Sequence, residues 1–279
     1  MCSSSNISTE RRLIRSSLRH ECCFYANALI RVGIGLLYST KIYTMKTIST
    51  LLIALMTSVI SFAQPIQCFF AISTESPREV MKATDMLMNS DFGKKFPGSV
   101  ALYQEAFNGE QAHTHTLGFT FEDAEVMQKA WNMWFMSEDV VAWEKMINPI
   151  SDNTGEWMTM PLVLEGDVSK DQVFMRWALD VHGNPSEYAK AWTKFTEAAK
   201  ARGMEMSSYG LSAVMAGLAD NDMTHYVFIG APDIPTMMKR MMTLQQDKEF
   251  ASFSLEVKDM RTVLHQDMIM AIGAWNVPE

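Results

Sequence analysis

The chain has 279 residues, 48% hydrophobic and 20% charged, with a formal net charge of −8 at pH 7. That length and apolar content can bury a sizeable core, while the acidic balance repels phosphate backbones and anionic lipid and sets nucleic acid aside as a partner. Three of the four cysteines are Cys2, Cys22 and Cys23. The later chain holds only Cys68, which excludes an internal disulfide framework or a cysteine-built zinc site there.

Near the front, Lys46 precedes an apolar run interrupted by Ser and Thr, which ends in Ser61-Phe62-Ala63 before Gln64. Small residues three before and one before a cut fit signal peptidase. Residues 45–63 are therefore expected to be a cleaved signal peptide, giving a secreted or periplasmic product with no stable membrane anchor; an uncleaved anchor is the rival reading. Met45 is where such a signal begins, so residues 1–44 read as a non-native or disordered extension from a start codon placed too early. A transit-type segment rich in Arg and Ser is the alternative. Removing residues 1–63 takes away seven Lys/Arg and two Asp/Glu, leaving 17 cations against 30 anions, a net charge of −13. Of the 24 methionines, 21 follow Gln64, at helical or strand positions such as Met81, Met127, Met237 and Met241. That placement suits core packing better than a soft-metal site.

From Gln64 the elements follow in order. Ile66 to Ile72 is an apolar strand, and Ser76-Pro77 opens a helix whose Val80, Met81, Thr84, Leu87 and Met88 share one face. Ser99–Phe107 and Ala112–Thr120 read as strands around the Asn108-Gly109 turn. Glu122-Asp123 starts a helix carrying Met127, Trp131 and Trp134, and a shorter helix spans Glu138–Ile147. Pro149–Gly155 reads as loop and Trp157–Leu164 as a fourth strand.

The order β-α-β-β-α-β then returns. Gln172–Asp180, Met204–Met215, Thr224–Gly230 and Val263–Trp275 read as strands. Helices are expected from Pro185 to near Gly203, over Asp233–Leu244 and over Asp247–Val257, with a turn at Asp220-Asn221-Asp222. Pro77, Glu79 and Lys82 fall on Pro185, Glu187 and Lys190 at an offset of 108, while His115, Asp123, Met127 and Lys129 fall on His225, Asp233, Met237 and Lys239 at 110. Met158 and Met160 match Met268 and Met270, again at 110. The chain is therefore expected to be α+β, with one ferredoxin-like module at 64–165 and a second at 166–279.

The stretch Glu125-Val-Met-Gln-Lys-Ala-Trp131-Asn-Met-Trp134, followed by the short acidic-aromatic helix to Trp143, has its counterpart in Met237–Phe253. This pattern resembles the dimeric α/β-barrel superfamily, which includes the antibiotic-biosynthesis monooxygenase-like domains. The resemblance covers residues 65–276 and rests on element order rather than a diagnostic motif. It implies two modules packed sheet to sheet as a pseudo-dimeric barrel, with ligands on the barrel's inner surface. Family members that degrade haem use a helix-borne His, and neither second helix here contains one.

His113 and His115 lie two apart and so share a strand face, where they could bind a metal or supply a general base. His225 matches His115, and the three would form a site if their faces look into the barrel; structural, hydrogen-bonded histidines are the alternative. Arg176 could anchor a carboxylate if it points inward, or be a solvated edge charge if outward. Phosphate-loop, dinucleotide, nucleophile-elbow and His-Glu-x-x-His motifs are missing from the sequence. Three functions follow as expectations. The first is a small-ligand binding or interaction protein using a barrel cavity, with a small hydrophobic ligand; the others are a monooxygenase-like enzyme on a small hydrophobic substrate and a structural homo-oligomer. No cofactor is named by these residues, and whether the chain is catalytic stays open.

Overall fold

Proline in a first helical turn gives up an N–H that would have no partner there, and it opens the long helix of each half. The computed structural model describes residues 64–218 and 222–277. The signal-like stretch 45–63, the extension before it and the expected turn at Asp220-Asn221 lie outside the described residues. The first half comprises β1 (Ile66–Ser73), α1 (Pro77–Asn89), β2 (Ser99–Phe107), β3 (His115–Phe121), α2 (Ala124–Phe135), α3 (Glu138–Ile147) and β4 (Asp152–Gly166). The second comprises β5 (Val173–Val181), α4 (Pro185–Ala201), β6 (Ser208–Leu218), β7 (His225–Ala231), α5 (Ile234–Gln246), α6 (Lys248–Glu256) and β8 (Arg261–Trp275).

Helix starts repeat between the halves. Asp123 caps α2 by accepting from the Val126 N–H at 2.8 Å, and Asp233 caps α5 by accepting from Thr236 at 2.7 Å. Ser137 and Asp247 do the same for α3 and α6. Strand limits differ in places from the expectations. β3 starts at His115 rather than Ala112; Thr114 still donates to the Ile72 carbonyl and accepts from the Glu105 N–H, and the residues before it close a wider turn in which the Asn108 amide donates to the His113 carbonyl. β4 starts at Asp152, inside the expected loop, because it bulges at Thr154, opposite the Ala71–Ile72 step of β1, and continues pairing through Asn153 and Asp152.

The eight strands close into one antiparallel barrel in the order β1-β3-β2-β8-β5-β7-β6-β4. Each half leaves two sheet edges, and each edge is paired by the other half, through β2–β8 and β4–β6. Among the described strands no open edge remains to template aggregation, and this closure needs no second chain. β3, β5 and β7 are buried on both faces, while β4 and β8 keep exposed stretches. The outer face of β3, with Leu117, Phe119 and Phe121, packs in one core with α1–α3, and that of β5 and β7 packs with α4–α6.

The inner face fills the barrel with side chains. Phe69, Ala71, Trp157, Ala178, Tyr226 and Phe228 form one apolar cluster, with Phe69 stacked on Trp157 at 5.4 Å. Gly118 faces this interior, and a Cβ there would meet Phe69 and Tyr103 rings at 3.2 Å. Arg176 is inside, not at a solvated edge. Its guanidinium binds Asp267 of β8 at 2.6 Å and Glu105 of β2 at 3.1 Å. Glu105 also accepts from the Thr116 hydroxyl at 2.6 Å, and His113 and His265 stand 3.8 Å from Glu105 and 3.3 Å from Asp267. Burial alone would lower the pKa of the guanidinium, but the two carboxylates more than offset it and raise it.

Removing one member of such a buried cluster strands the opposing charges. Arg176→Met is expected to lower unfolding stability by about 3–5 kcal/mol in urea titration. Adding Asp267→Asn and Glu105→Gln to that variant should recover part of the loss; a single variant as stable as the parent would show the cluster to be energetically idle.

Candidate ligand pocket

The residues singled out by the sequence do not converge. β3 and β7 stand four strands apart either way around the ring, so His115 and His225 lie on opposite sides of the barrel. Both side chains also lie on the helix-covered face, because His115 is in register with Leu117 and Phe119 while Thr116 and Gly118 face the interior. Small residues suit the narrow inside, and the large apolar ones need helices to cover them. Of the three histidines only His113 approaches the interior charges. Arg176 does anchor carboxylates, but they are the chain's own. Among the described residues, no group of three or more His, Cys, Asp or Glu could hold a metal ion.

His115 and His225 instead repeat one structural device. Nδ1 of each meets the hydroxyl of the preceding Thr, at 2.9 Å from Thr114 and 3.0 Å from Thr224. That same hydroxyl accepts from a backbone N–H at the end of the neighbouring strand, Thr74 in one half and Val181 in the other. The pair thus ties the start of β3 to the end of β1, and β7 to β5.

An opening lies outside the barrel, between sheet and helices of the first half. A cavity of about 730 Å³ is walled by Phe70, Leu117 and Phe119 from the sheet, by Val80 and Thr84 from α1, and by Trp131, Trp134 and Trp143 from α2 and α3. The aromatic rings brace one another: Trp134 is edge-on to Trp143 at 5.5 Å and to Phe119 at 5.5 Å, and Trp131 meets Phe70 at 5.9 Å. Gln128, Asn148, Ser151, Asn153, Glu144 and Glu156 supply the polar lining. Neither glutamate is buried. Cys68 lies on the same sheet face, but burial pushes its thiol up to about 11, which leaves no thiolate nucleophile at neutral pH.

The second half shows why the first is hollow. Counting from the two helix-opening prolines, Val80, Thr84 and Leu87 occupy the places of Tyr188, Trp192 and Phe195. There the larger rings pack with Phe253, which stacks on Phe195 at 5.0 Å, and only about 20 Å³ is left. Small residues on α1 therefore create the cavity. Their spacing puts Val80 and Thr84 on a buried face. The signal for a cavity was their size beside Tyr188 and Trp192.

Burial holds the His115 and His225 pKa values below the ordinary 6.5. As pH falls below about 6.5 the unfolded chain takes up protons that these folded imidazoles resist, so stability should decline toward pH 5. Asp267, whose pKa is lowered against its burial by Arg176, contributes its own loss only below about 3.8. Thermal melts from pH 7.5 to 5 should show a falling midpoint, and the double change His115→Gln with His225→Gln should flatten that slope.

No protein-family model matches the chain, and no curated protein matches it. Solved structures do. A putative monooxygenase from Fusobacterium nucleatum superposes with a TM-score of 0.52 at 14% identity, covering 77% of this chain and 95% of the other. One from Lactobacillus acidophilus gives 0.50 at 10% identity over 77% and 100%. An anthrone oxidase-like protein gives 0.52 at 8% identity over 77% and 93%. At such identities the likeness is one of fold. The chain has the fold of the dimeric α/β-barrel superfamily, with two ferredoxin-like units joined in tandem so that one polypeptide makes the whole barrel.

Proposed function

We propose that the chain binds a small, apolar, ring-bearing molecule in the pocket of its first half. The observation that carries this reading is the aromatic-walled cavity of about 730 Å³ set against a filled counterpart of about 20 Å³. A concave, mainly apolar site of this size with a few polar groups is the usual form of a small-molecule site. The site is the space between sheet and helices, not the barrel interior, which is packed. Its ligand would contact Trp131, Trp134 and Trp143, so binding should quench indole fluorescence.

A second reading is oxygenation of the bound molecule. Its support is the likeness of fold to two putative monooxygenases and an anthrone oxidase-like protein. Dioxygen uptake with an anthrone, measured at an oxygen electrode, should then exceed the protein-free rate and vanish when the pocket is filled. Export to a secreted or periplasmic location is part of the same proposal, supported by the signal-like residues 45–63. N-terminal sequencing of an exported product should begin near Gln64.

Thr84→Trp copies the second half's own solution and should fill the cavity. Binding of 1-naphthalenemethanol, followed by tryptophan quenching, is expected to weaken at least about tenfold, roughly 1.4 kcal/mol. The melting temperature should hold or rise, since a void is being filled. Unchanged affinity in a folded Thr84→Trp protein would place the ligand elsewhere.

A further inference from the structure

The second half's pocket is closed by a charge as well as by rings. The Arg261 guanidinium carbon lies 5.4 Å from the ring centres of both Tyr188 and Phe253, and Nη1 donates to the Tyr188 hydroxyl at 2.5 Å. This is cation–π geometry. The strand registers identify its counterpart. β8 pairs with β5, and β4 with β1, across a bulge at the same place, between Ala178 and Leu179 and between Ala71 and Ile72. Beyond that bulge Val263 corresponds to Asn153 and Thr262 to Asp152, which sets Arg261 against Ser151. Phe253 corresponds likewise to Trp143: each lies six residues after the cap of its own helix, Asp247 and Ser137, and twenty after Asp233 and Asp123, at the offset of 110.

The first half thus keeps an aromatic wall and lacks the cation that its twin lays on that wall. Ser151 and Trp143 both line the open cavity. The charged residues lining it are Glu144 and Glu156, and no Lys, Arg or His is among the described residues that do so. Neither glutamate makes an ion pair among the described residues. We infer that the pocket takes an organic cation, an amine or quaternary ammonium on an apolar ring body, with its charge where Arg261 holds the guanidinium in the second half. Trp143 supplies the π face, and Glu144 and Glu156 supply a negative potential that turns anionic ligands away. This inference rests on the pocket being a ligand site and adds the charge of the ligand.

Three probes of nearly equal shape test it on the full chain: (1-naphthylmethyl)trimethylammonium, 1-naphthalenemethanol and 1-naphthylacetate, with affinity read by tryptophan quenching and calorimetry. The cation is expected to bind about tenfold tighter than the alcohol, and the anion weaker than either. Glu144→Gln with Glu156→Gln should reduce cation affinity several-fold and leave the alcohol unchanged. Ser151→Arg should abolish cation binding by supplying the charge internally; if that variant fails to fold, the glutamine pair decides. Alcohol binding equal to or tighter than the cation's, or tightest binding of the anion, would overturn the inference and leave the pocket reading intact. Failure of all three probes to bind would remove both.

Discussion

Two four-stranded sheets, each with two open edges, become one closed surface through the β2–β8 and β4–β6 pairings. Everything else follows from that closure. It turns one face of each strand into a tube filled by the chain's own side chains, and helices cover the other face over β3, β5 and β7. The tube is therefore a core, and the space for another molecule described above is on the helix side, where the residues of a single helix decide whether it is filled. The arrangement also sets which polar groups can be tolerated inside. Arg176 is acceptable there because strands from both halves bring it Asp267 and Glu105.

The repeat is faithful in backbone and unfaithful in side chains. Helix caps, the threonine–histidine pairs and the strand bulges recur at matching places. The interiors have parted. Arg176 pairs across strands with Asp267 in one half, and in the other Phe69 pairs with Trp157. Around them Glu105, Thr116 and His113 on one side answer to Val214, Tyr226 and Met223 on the other. One pole of the barrel is thus held by charge and the opposite pole by aromatic packing. The helix side diverged the other way, with rings filling the second half and a void left in the first.

Much of the architecture was legible in the chain because it depends on local or periodic signals. Proline and aspartate marked the helix starts, and the offsets of 108 and 110 exposed the repeat. The face of β3 was not legible. His115, Leu117 and Phe119 alternate with Thr116, Gly118 and Thr120, and in a strand buried on both sides neither set declares itself as outer. Arg176 was ambiguous for a related reason: its partners lie 71 and 91 residues away in sequence, and only the barrel brings them together. The pocket was within reach, since Val80 and Thr84 against Tyr188 and Trp192 is a size difference visible in the aligned halves. Its emptiness was not, because it depends on how α2 and α3 pack over the sheet.

Carrying both halves on one polypeptide has a consequence for how the molecule can change. In a barrel made from two identical chains, an arginine at the site of Arg176 would appear again at the site of Phe69, and both guanidinium groups would need carboxylates. A hollow created by Thr84 would likewise come as a pair. Here a substitution is made once, on one side, and the other side is free to keep a compact, rigid filling. The fused chain can therefore hold an open chamber in one half while the other acts as its structural brace.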